Sequence, residues 1–201
     1  APVEVLIVTL IINGLLNQRE KRNRLEKMNM VIGSFFSEVG TLLLTYFSDF
    51  DPELATIRKH LIVTNNWSDE EFVSVSKRLK NYDYKVDIRK IDMEGLKGFL
   101  ESKRGFLLRL LENPALLEHE TFTELLRSVF HFTEELDRRE KVIGLSDPDY
   151  EHLAVDVNRA YTLLVQQWLE YVKYLKDNYP YLFSLAMRTN PFDQTASPFV
   201  K

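Results

Sequence analysis

The chain has 201 residues, of which 45% are hydrophobic, so it is long enough to bury a substantial core in a single domain. A net charge of −4 argues against nucleic acid as the main partner, because the one basic concentration, at residues 19–27, is interrupted by Glu20 and Glu26. The lack of cysteine excludes disulfides, thiolate metal ligands and a cysteine nucleophile.

The first segment, residues 1–16, is mostly apolar, and basic residues follow it at once. As a helix, residues 3–16 would cover roughly 20 Å, which is short of the roughly 30 Å hydrocarbon core of a bilayer. Lysine and arginine directly after an apolar helix are typical of the cytoplasmic end of a membrane segment. We therefore expect attachment to a membrane, either by partial insertion or as the end of a span that upstream residues would complete. The alternative is a buried first helix. The flanking basic residues are Arg19, Lys21, Arg22, Arg24 and Lys27.

Residues 18–50 carry the most regular helical pattern. Apolar residues recur there at alternating spacings of three and four, and a second row runs through Phe36, Leu43 and Phe50. This pattern predicts one long helix, buried along one side, around which the other helices are organised. The predicted stripe is Leu25, Met28, Ile32, Phe35, Val39, Leu42 and Tyr46.

Capping signals divide the remaining chain into helices. Ser68 and Glu71 form a capping box, and Trp67 and Phe72 occupy the two positions of a hydrophobic staple. Further starts are predicted at Asp51-Pro52, at Asp92, at a second capping box of Thr121 and Glu124, and at Asp147-Pro148. The predicted helices cover about residues 51–63, 69–81, 92–112, 121–139 and 147–177.

The C-terminal region is apolar and aromatic up to residue 187. We expect residues 179–187 to lie on the other helices as a structural lock, with Tyr181, Leu182 and Phe183 buried. Asn190-Pro191 ends this element, and residues 191–201 are expected to be held loosely.

These elements predict an all-α fold. No run of β-branched residues bounded by turn signals follows residue 20, and four of the predicted helices have about 19 residues or more. We expect a multi-helix bundle with mostly antiparallel, up-and-down packing around the long N-terminal helix. The expected organisation is an apolar membrane-proximal segment at 1–16, a single helical domain at 17–190 and a loose tail at 191–201.

Two histidine–carboxylate pairs suggest a metal site between two helices, namely His131 with Glu135 and His152 with Asp156. At roughly 100° per residue, however, His131 points about 180° away from Phe122 on the apolar stripe. We therefore expect these side chains to be solvated, and we expect neither a metal nor a cofactor. The sequence also lacks a nucleophile elbow and a phosphate-binding loop that follows a strand.

Lys103 contradicts the pattern around it, because it lies near the centre of a stripe of leucines with Arg104 at the edge. Such a cation must extend to water or find an anion, for which Glu38 is a candidate. Extension to water is the interpretation that we favour. Candidate residues for an anionic-ligand pocket are Lys103, Arg104, Glu38, Tyr46 and Tyr161.

Glycines recur at heptad spacing within two predicted helices. Each glycine costs its helix about 1 kcal/mol relative to alanine. Four of them suggest a compensating stabilisation, in which the glycines let two helix backbones approach closely. They predict a homodimer through the glycine-bearing faces, with tolerance at exposed positions as the alternative. The residues are Gly33, Gly40, Gly98 and Gly105.

Two stretches, residues 28–40 (MNMVIGSFFSEVG) and 179–192 (YPYLFSLAMRTNPF), carry a resemblance to a known family. The chain resembles, from about residue 5 to 192, uncharacterised prokaryotic proteins that begin with one hydrophobic helix and continue as a cytoplasmic helical domain. The resemblance implies a membrane-attached helical bundle and implies no activity, substrate or catalytic residue.

Three functional hypotheses follow. The sequence favours a non-enzymatic interaction or signalling module attached to the cytoplasmic face of the cell membrane. The first alternative is a ligand-binding or enzymatic bundle with an interior anion pocket near Lys103. The second is a soluble cytoplasmic bundle that buries its first helix.

Overall fold

The computed structural model describes the backbone of residues 2–114, 116 and 119–199, and the side chains of these residues from residue 12 onward. Within these residues the chain is helical and contains no strand, which confirms the predicted all-α multi-helix fold. A π-helical turn at Phe36–Gly40 joins α1 to α2, and a short 3₁₀ turn lies at Ile88–Lys90. The α-helices are α1 (Pro2–Phe35), α2 (Thr41–Asp49), α3 (Ala55–Arg58), α4 (Asp69–Lys80), α5 (Met93–Leu111), α6 (Glu120–Asp137), α7 (Asp147–Asn178) and α8 (Pro180–Arg188).

Four long elements form the bundle, and contacts between their rings define the directions in which they run. The rings of Phe35 and Phe122 lie 5.5 Å apart and those of Phe47 and Phe132 lie 6.4 Å apart, so the α1–α2 element and α6 run in parallel. Along α7 the order is reversed, because Phe36 stacks on Tyr171 while Phe47 meets Tyr161. The α5 helix is antiparallel to α6, since Arg104 binds Glu134 and Lys97 donates to the carbonyl of Arg139. The bundle is therefore up-down-up-down.

The π-helical turn changes the buried stripe of the organising helix. One extra residue in the turn rotates the following helix by about 100° relative to an uninterrupted α-helix. Leu42 is consequently 42% exposed, although the sequence pattern placed it in the core. Leu43, Leu44 and Phe47 are fully buried in its place.

The first predicted capping box is present and the second is not. The Glu71 N–H donates to Ser68 Oγ and the Ser68 N–H donates to Glu71 Oε2, and the Trp67 and Phe72 rings meet at 5.0 Å. At the start of α6, the cap is His119 instead of Thr121: its Nδ1 accepts from the N–H of Phe122 at 3.2 Å.

Two helix starts that the sequence assigned to Asp-Pro pairs also differ. After Asp51-Pro52 the chain forms turns and only the four-residue α3. At Asp147-Pro148 the helix begins as predicted, but Ser146 is the cap, because its hydroxyl accepts from the N–H of Asp149.

The C-terminal region buries different residues from those predicted. Phe183 is buried, but Tyr181 is 71% exposed and Leu182 lies at the surface, so burial of all three was wrong. The nine-residue α8 presents only one side to the bundle, and Phe183 lies on that side. Farther on, Phe192 is fully buried, so packing extends beyond the predicted boundary at residue 190. Residues 200 and 201 of the predicted tail lie outside the described residues.

Candidate functional site

Residues 12–25 of α1 project from the bundle. From residue 12 to residue 25 every side chain is exposed, and Met28 is the first buried residue of the described part of α1. Ile12, Leu15 and Leu16 each expose half or more of their surface. The side chains of residues 1–11, which complete the predicted membrane segment, lie outside the described residues. The described part therefore ends in an uncovered apolar helix surface.

The basic cluster follows this apolar surface on the same helix. All five predicted flanking residues, Arg19, Lys21, Arg22, Arg24 and Lys27, are exposed. Arg22 pairs with Glu26 at 3.2 Å and Arg24 pairs with Glu20 one turn away. Lys21, Arg24 and Lys27 also line an open groove of about 600 Å³, and His119 lines it from outside α1. Five basic residues against two acidic ones leave this part of the helix positively charged.

One helix of the described chain, taken from Ile12 to Asp49, is long and apolar enough to cross a membrane by length and composition alone. Its most apolar 18-residue window is 44% buried inside the bundle, and mostly buried core helices of soluble proteins pass the same test. The finding is weak evidence for a membrane span. It does not support the view that the buried part of the helix faces lipid.

Lys103 forms an ion pair with Glu38, with 2.7 Å between Nζ and Oε2. The Lys103 side chain is 28% exposed and that of Glu38 is 49% exposed, so water reaches the pair. Arg104 in turn pairs with Glu134 at 2.7 Å. Both cations of the predicted anion pocket thus have carboxylate partners. The open cavity of about 570 Å³ beside Lys103 is lined by Ser34, Glu38, Ser102, Lys103, Gly105, Phe106 and Arg109.

The two tyrosines proposed for the same pocket lie elsewhere. Tyr46 is half-buried against the core, and Tyr161 is fully buried between Phe47 and Tyr84. Neither lines the cavity beside Lys103. The structure therefore brings together Lys103 and Glu38 but separates them from Tyr46 and Tyr161.

Tyr161 instead belongs to a buried polar cluster that the sequence analysis missed. The Tyr82 hydroxyl donates to the carboxylate of Asp51 at 2.8–2.9 Å, and the N–H of Glu53 donates to Asp51 Oδ1. Burial raises the pKa of Asp51, and it raises the pKa of Tyr161. The hydroxyl of Tyr84 is buried without a hydrogen-bond partner among the described residues. This cluster links the end of α2 to α7 through the segment before α5.

We expect Lys103→Met to change the free energy of unfolding by less than about 1 kcal/mol, because a water-accessible ion pair contributes little. Urea unfolding of the two proteins measures the difference. Lys90→Met is a matched control, since Lys90 forms an exposed pair with Asp87 at 2.9 Å. A loss of about 3–5 kcal/mol for Lys103→Met alone would show instead that the pair behaves as a buried one.

Two histidine–carboxylate pairs meet between α6 and α7. His131 Nε2 lies 3.5 Å from Asp156 Oδ2, and His152 Nε2 lies 3.5 Å from Glu135 Oε2. His131 and His152 are exposed, as expected, but Asp156 is buried, and the two pairs face each other across the edge between α6 and α7. A hydrogen bond from Arg139 lowers the pKa of Glu135. It therefore remains a carboxylate near neutral pH.

The heptad-spaced glycines lie in two different settings. A side chain at Gly33 would meet the Tyr171 hydroxyl, and one at Gly40 would meet the Phe35 and Phe36 rings of the same chain. Around Gly98 there is open space, and Gly105 has only the end of Arg109 nearby. Close approach at Gly33 and Gly40 is thus explained within one chain. A homodimer through Gly98 and Gly105 stays a prediction.

Comparison with known proteins finds a family that matches most of the chain. The family model described as "Uncharacterized protein MJ1433, C-terminal helical domain" matches residues 24–188. The uncharacterized protein MJ1433 of Methanocaldococcus jannaschii is 52% identical to this chain over 192 residues, which are 96% of the chain and 77% of that relative. No solved structure matches. The predicted resemblance to an uncharacterised family with a helical domain is confirmed, and the family match begins after the apolar segment. The chain therefore belongs to the MJ1433 family, and residues 24–188 of the chain correspond to the C-terminal helical domain of that family.

Proposed function

We propose that the chain is a membrane-attached helical domain on the cytoplasmic face, acting as a non-enzymatic interaction module. One observation carries the proposal: the exposed apolar side chains of Ile12, Leu15 and Leu16 continue directly into an exposed basic cluster on one projecting helix. An apolar segment and a basic patch are the two signals that together give stable attachment to a bilayer.

The energetic argument combines two terms. Transfer of apolar surface out of water is favourable by roughly 25 cal/mol per Å², and the three exposed residues present such surface at the projecting end. Each lysine or arginine near an anionic leaflet adds about 1 kcal/mol. Because Glu20 and Glu26 offset two of the five basic charges, the electrostatic term is moderate. Both terms act on the same helix end.

The orientation follows from the order of the two signals. Basic residues on the bundle side of an apolar segment favour the cytoplasmic face. Because α1 continues without interruption into the core, where Ile32 and Phe35 are buried, attachment would hold the bundle close to the membrane surface.

An exposed apolar surface on α8 supports the interaction part of the proposal. Tyr181, Leu182 and Leu185 are exposed within one turn of each other. Leu182 and Leu185 also border a groove of about 400 Å³ that α8 forms with α1 and α7. Neighbouring exposed apolar side chains beside a groove are typical of surfaces that bind a protein segment.

The anionic-ligand alternative has less support. An anion beside Lys103 would have to displace Glu38, and one at Arg104 would have to displace Glu134. The soluble cytoplasmic bundle remains the alternative that the experiment below separates from the proposal.

Sedimentation with lipid vesicles tests the attachment. We expect the chain to sediment with vesicles that contain anionic lipid, less strongly with neutral vesicles, and less strongly at high salt. Replacing Ile12, Leu15 and Leu16 together by glutamine should weaken sedimentation without lowering the melting temperature, because these side chains are exposed and do not pack against the core.

A matched control replaces three exposed apolar residues elsewhere, Val73, Ile143 and Val155, by glutamine. This control should sediment like the unmodified chain. Equal loss in both variants, or no binding of the unmodified chain to any vesicle, would refute membrane attachment and favour the soluble bundle.

A further inference from the structure

We propose that His131, His152 and Asp156, with Glu135, form a binding site for a divalent transition metal, for which Zn²⁺ is the best-fitting ion. The site joins α6 to α7 at the surface of the bundle. It lies apart from the projecting helix, and it does not depend on membrane attachment.

The first argument is the placement of the four side chains. Each helix contributes one histidine and one carboxylate separated by one turn, so both side chains lie on the same face. Because α6 and α7 are antiparallel, His131 lies opposite Asp156 while Glu135 lies opposite His152. Two nitrogen and two oxygen donors therefore converge between the helices.

The second argument is the spacing of the donor atoms. A tetrahedral zinc site with bonds of about 2.0–2.2 Å places neighbouring ligand atoms about 3.3–3.5 Å apart. His131 Nε2 lies 3.5 Å from Asp156 Oδ2 and 4.0 Å from Glu135 Oε1. His152 Nε2 lies 3.6 Å from Asp156 Oδ2 and 3.5 Å from Glu135 Oε2. The two edges at Asp156, 3.5 and 3.6 Å long, share the atom Oδ2 and are close to the length that zinc requires. The two edges at Glu135 involve different oxygens, so the Glu135 side chain has to rotate to become a ligand.

The third argument is the state of Asp156. Its side chain is only 4% exposed, and its Oδ2 atom is buried and accepts no hydrogen bond. A buried carboxylate oxygen that accepts no hydrogen bond is costly, and here it faces two imidazoles. A metal ion bound by both imidazoles would supply the missing partner.

The surrounding residues fit outer-shell roles. Arg159 donates to Asp156 Oδ1 at 3.2 Å and leaves Oδ2 directed toward the histidines. Arg139 donates to Glu135 Oε2 at 2.6 Å, so Oε1 is the oxygen of Glu135 available to an ion. Such contacts orient metal ligands.

Binding requires small movements. Among the residues that the structure describes, no three of these side chains already surround one coordinating position. His131 and His152 are about half exposed, so their rings can rotate toward Asp156 without disturbing the core. Imidazole and carboxylate ligands suit Zn²⁺ and related ions, whereas Ca²⁺ and Mg²⁺ prefer oxygen ligands alone.

The test is titration of the metal-free full chain with Zn²⁺ by calorimetry, and with Co²⁺ by visible absorption, which reports tetrahedral coordination. We expect one ion per chain and a rise of the melting temperature with Zn²⁺. His131→Gln, His152→Gln and Asp156→Asn should each weaken binding by about 100-fold or more, whereas loss of the outer-shell Arg139 in Arg139→Gln should weaken it about 10- to 100-fold.

His60→Gln is the matched control. His60 contacts Arg78, is distant in sequence from the four proposed ligands and is not itself one of them. This variant should bind Zn²⁺ like the unmodified chain. The proposal is overturned if no saturable Zn²⁺ binding occurs, if His60→Gln weakens binding as much as His131→Gln, or if Zn²⁺ leaves the melting temperature unchanged. The last result would identify the cluster as an ion-pair network.

Discussion

Phe192→Ala is expected to lower the free energy of unfolding by about 3–5 kcal/mol, the usual loss when a fully buried phenylalanine is truncated. The Phe192 side chain has no exposed surface, and its ring meets that of Trp168 at 5.0 Å. The N–H of Phe192 also donates to the side-chain oxygen of Asn190, whose amide nitrogen donates to the carbonyl of Leu61. Chemical denaturation of both proteins measures the loss.

Phe199→Ala is the matched control, because Phe199 lies only seven positions later and is 78% exposed. Its free energy of unfolding should stay within about 0.5 kcal/mol of the unmodified chain. If both variants were equally stable, Phe192 would not anchor the C-terminal segment, and the loose tail predicted from residue 191 would be correct after all.

The sequence predicted best where one local interaction decides the structure. The capping box of Ser68 and Glu71 involves only neighbouring residues, and it is present as predicted. Asp92 likewise caps α5, because its side chain accepts from the N–H of Gly95. Apolar periodicity identified the bundle helices for the same reason: each stripe is a property of one helix.

Prediction from the sequence failed where the structure outside the local apolar pattern determines which residue is buried. Leu42 and Leu43 are equally apolar, and only the π-helical turn before them determines which one is buried. Periodicity assumes about 100° per residue and cannot detect a turn with one extra residue. The burial of Phe192 depends on Trp168, which no local pattern connects to it.

Both histidine–carboxylate pairs were recognised in the sequence, but their convergence was rejected for a related reason. The position of His131 was measured against the apolar stripe of its own helix, and that stripe did not reveal that α7 lies along its edge. A usable signal was present. When two neighbouring antiparallel helices each carry a histidine followed by a carboxylate one turn later, each histidine lies opposite the carboxylate of the other helix. The Asp51 and Tyr82 contact offered no such signal, since the two residues lie on separate irregular segments.

The second large effect is expected from Gly40→Ala, which should destabilise the chain by about 1–3 kcal/mol through overpacking. An added methyl group would lie 2.6 Å from a ring carbon of Phe36 and 2.8 Å from one of Phe35. Neither ring can move freely, because Phe36 stacks on Tyr171 and Phe35 packs edge-on against Phe122. The overpacking should outweigh the about 1 kcal/mol by which alanine favours a helix over glycine.

Gly98→Ala supplies the opposite case on α5. A methyl group there meets nothing within 4 Å, so only the helix preference of alanine should act, and stability should rise by about 0.5–1 kcal/mol. Thermal and urea unfolding of both variants should therefore give shifts of opposite sign. If Gly40→Ala were also stabilising, the rings of Phe35 and Phe36 would have room to move, and the close approach at the π-helical turn would not explain the glycine. Because the two substitutions are chemically identical and both lie in helical backbone, a difference in sign isolates the packing around Gly40 from helix propensity.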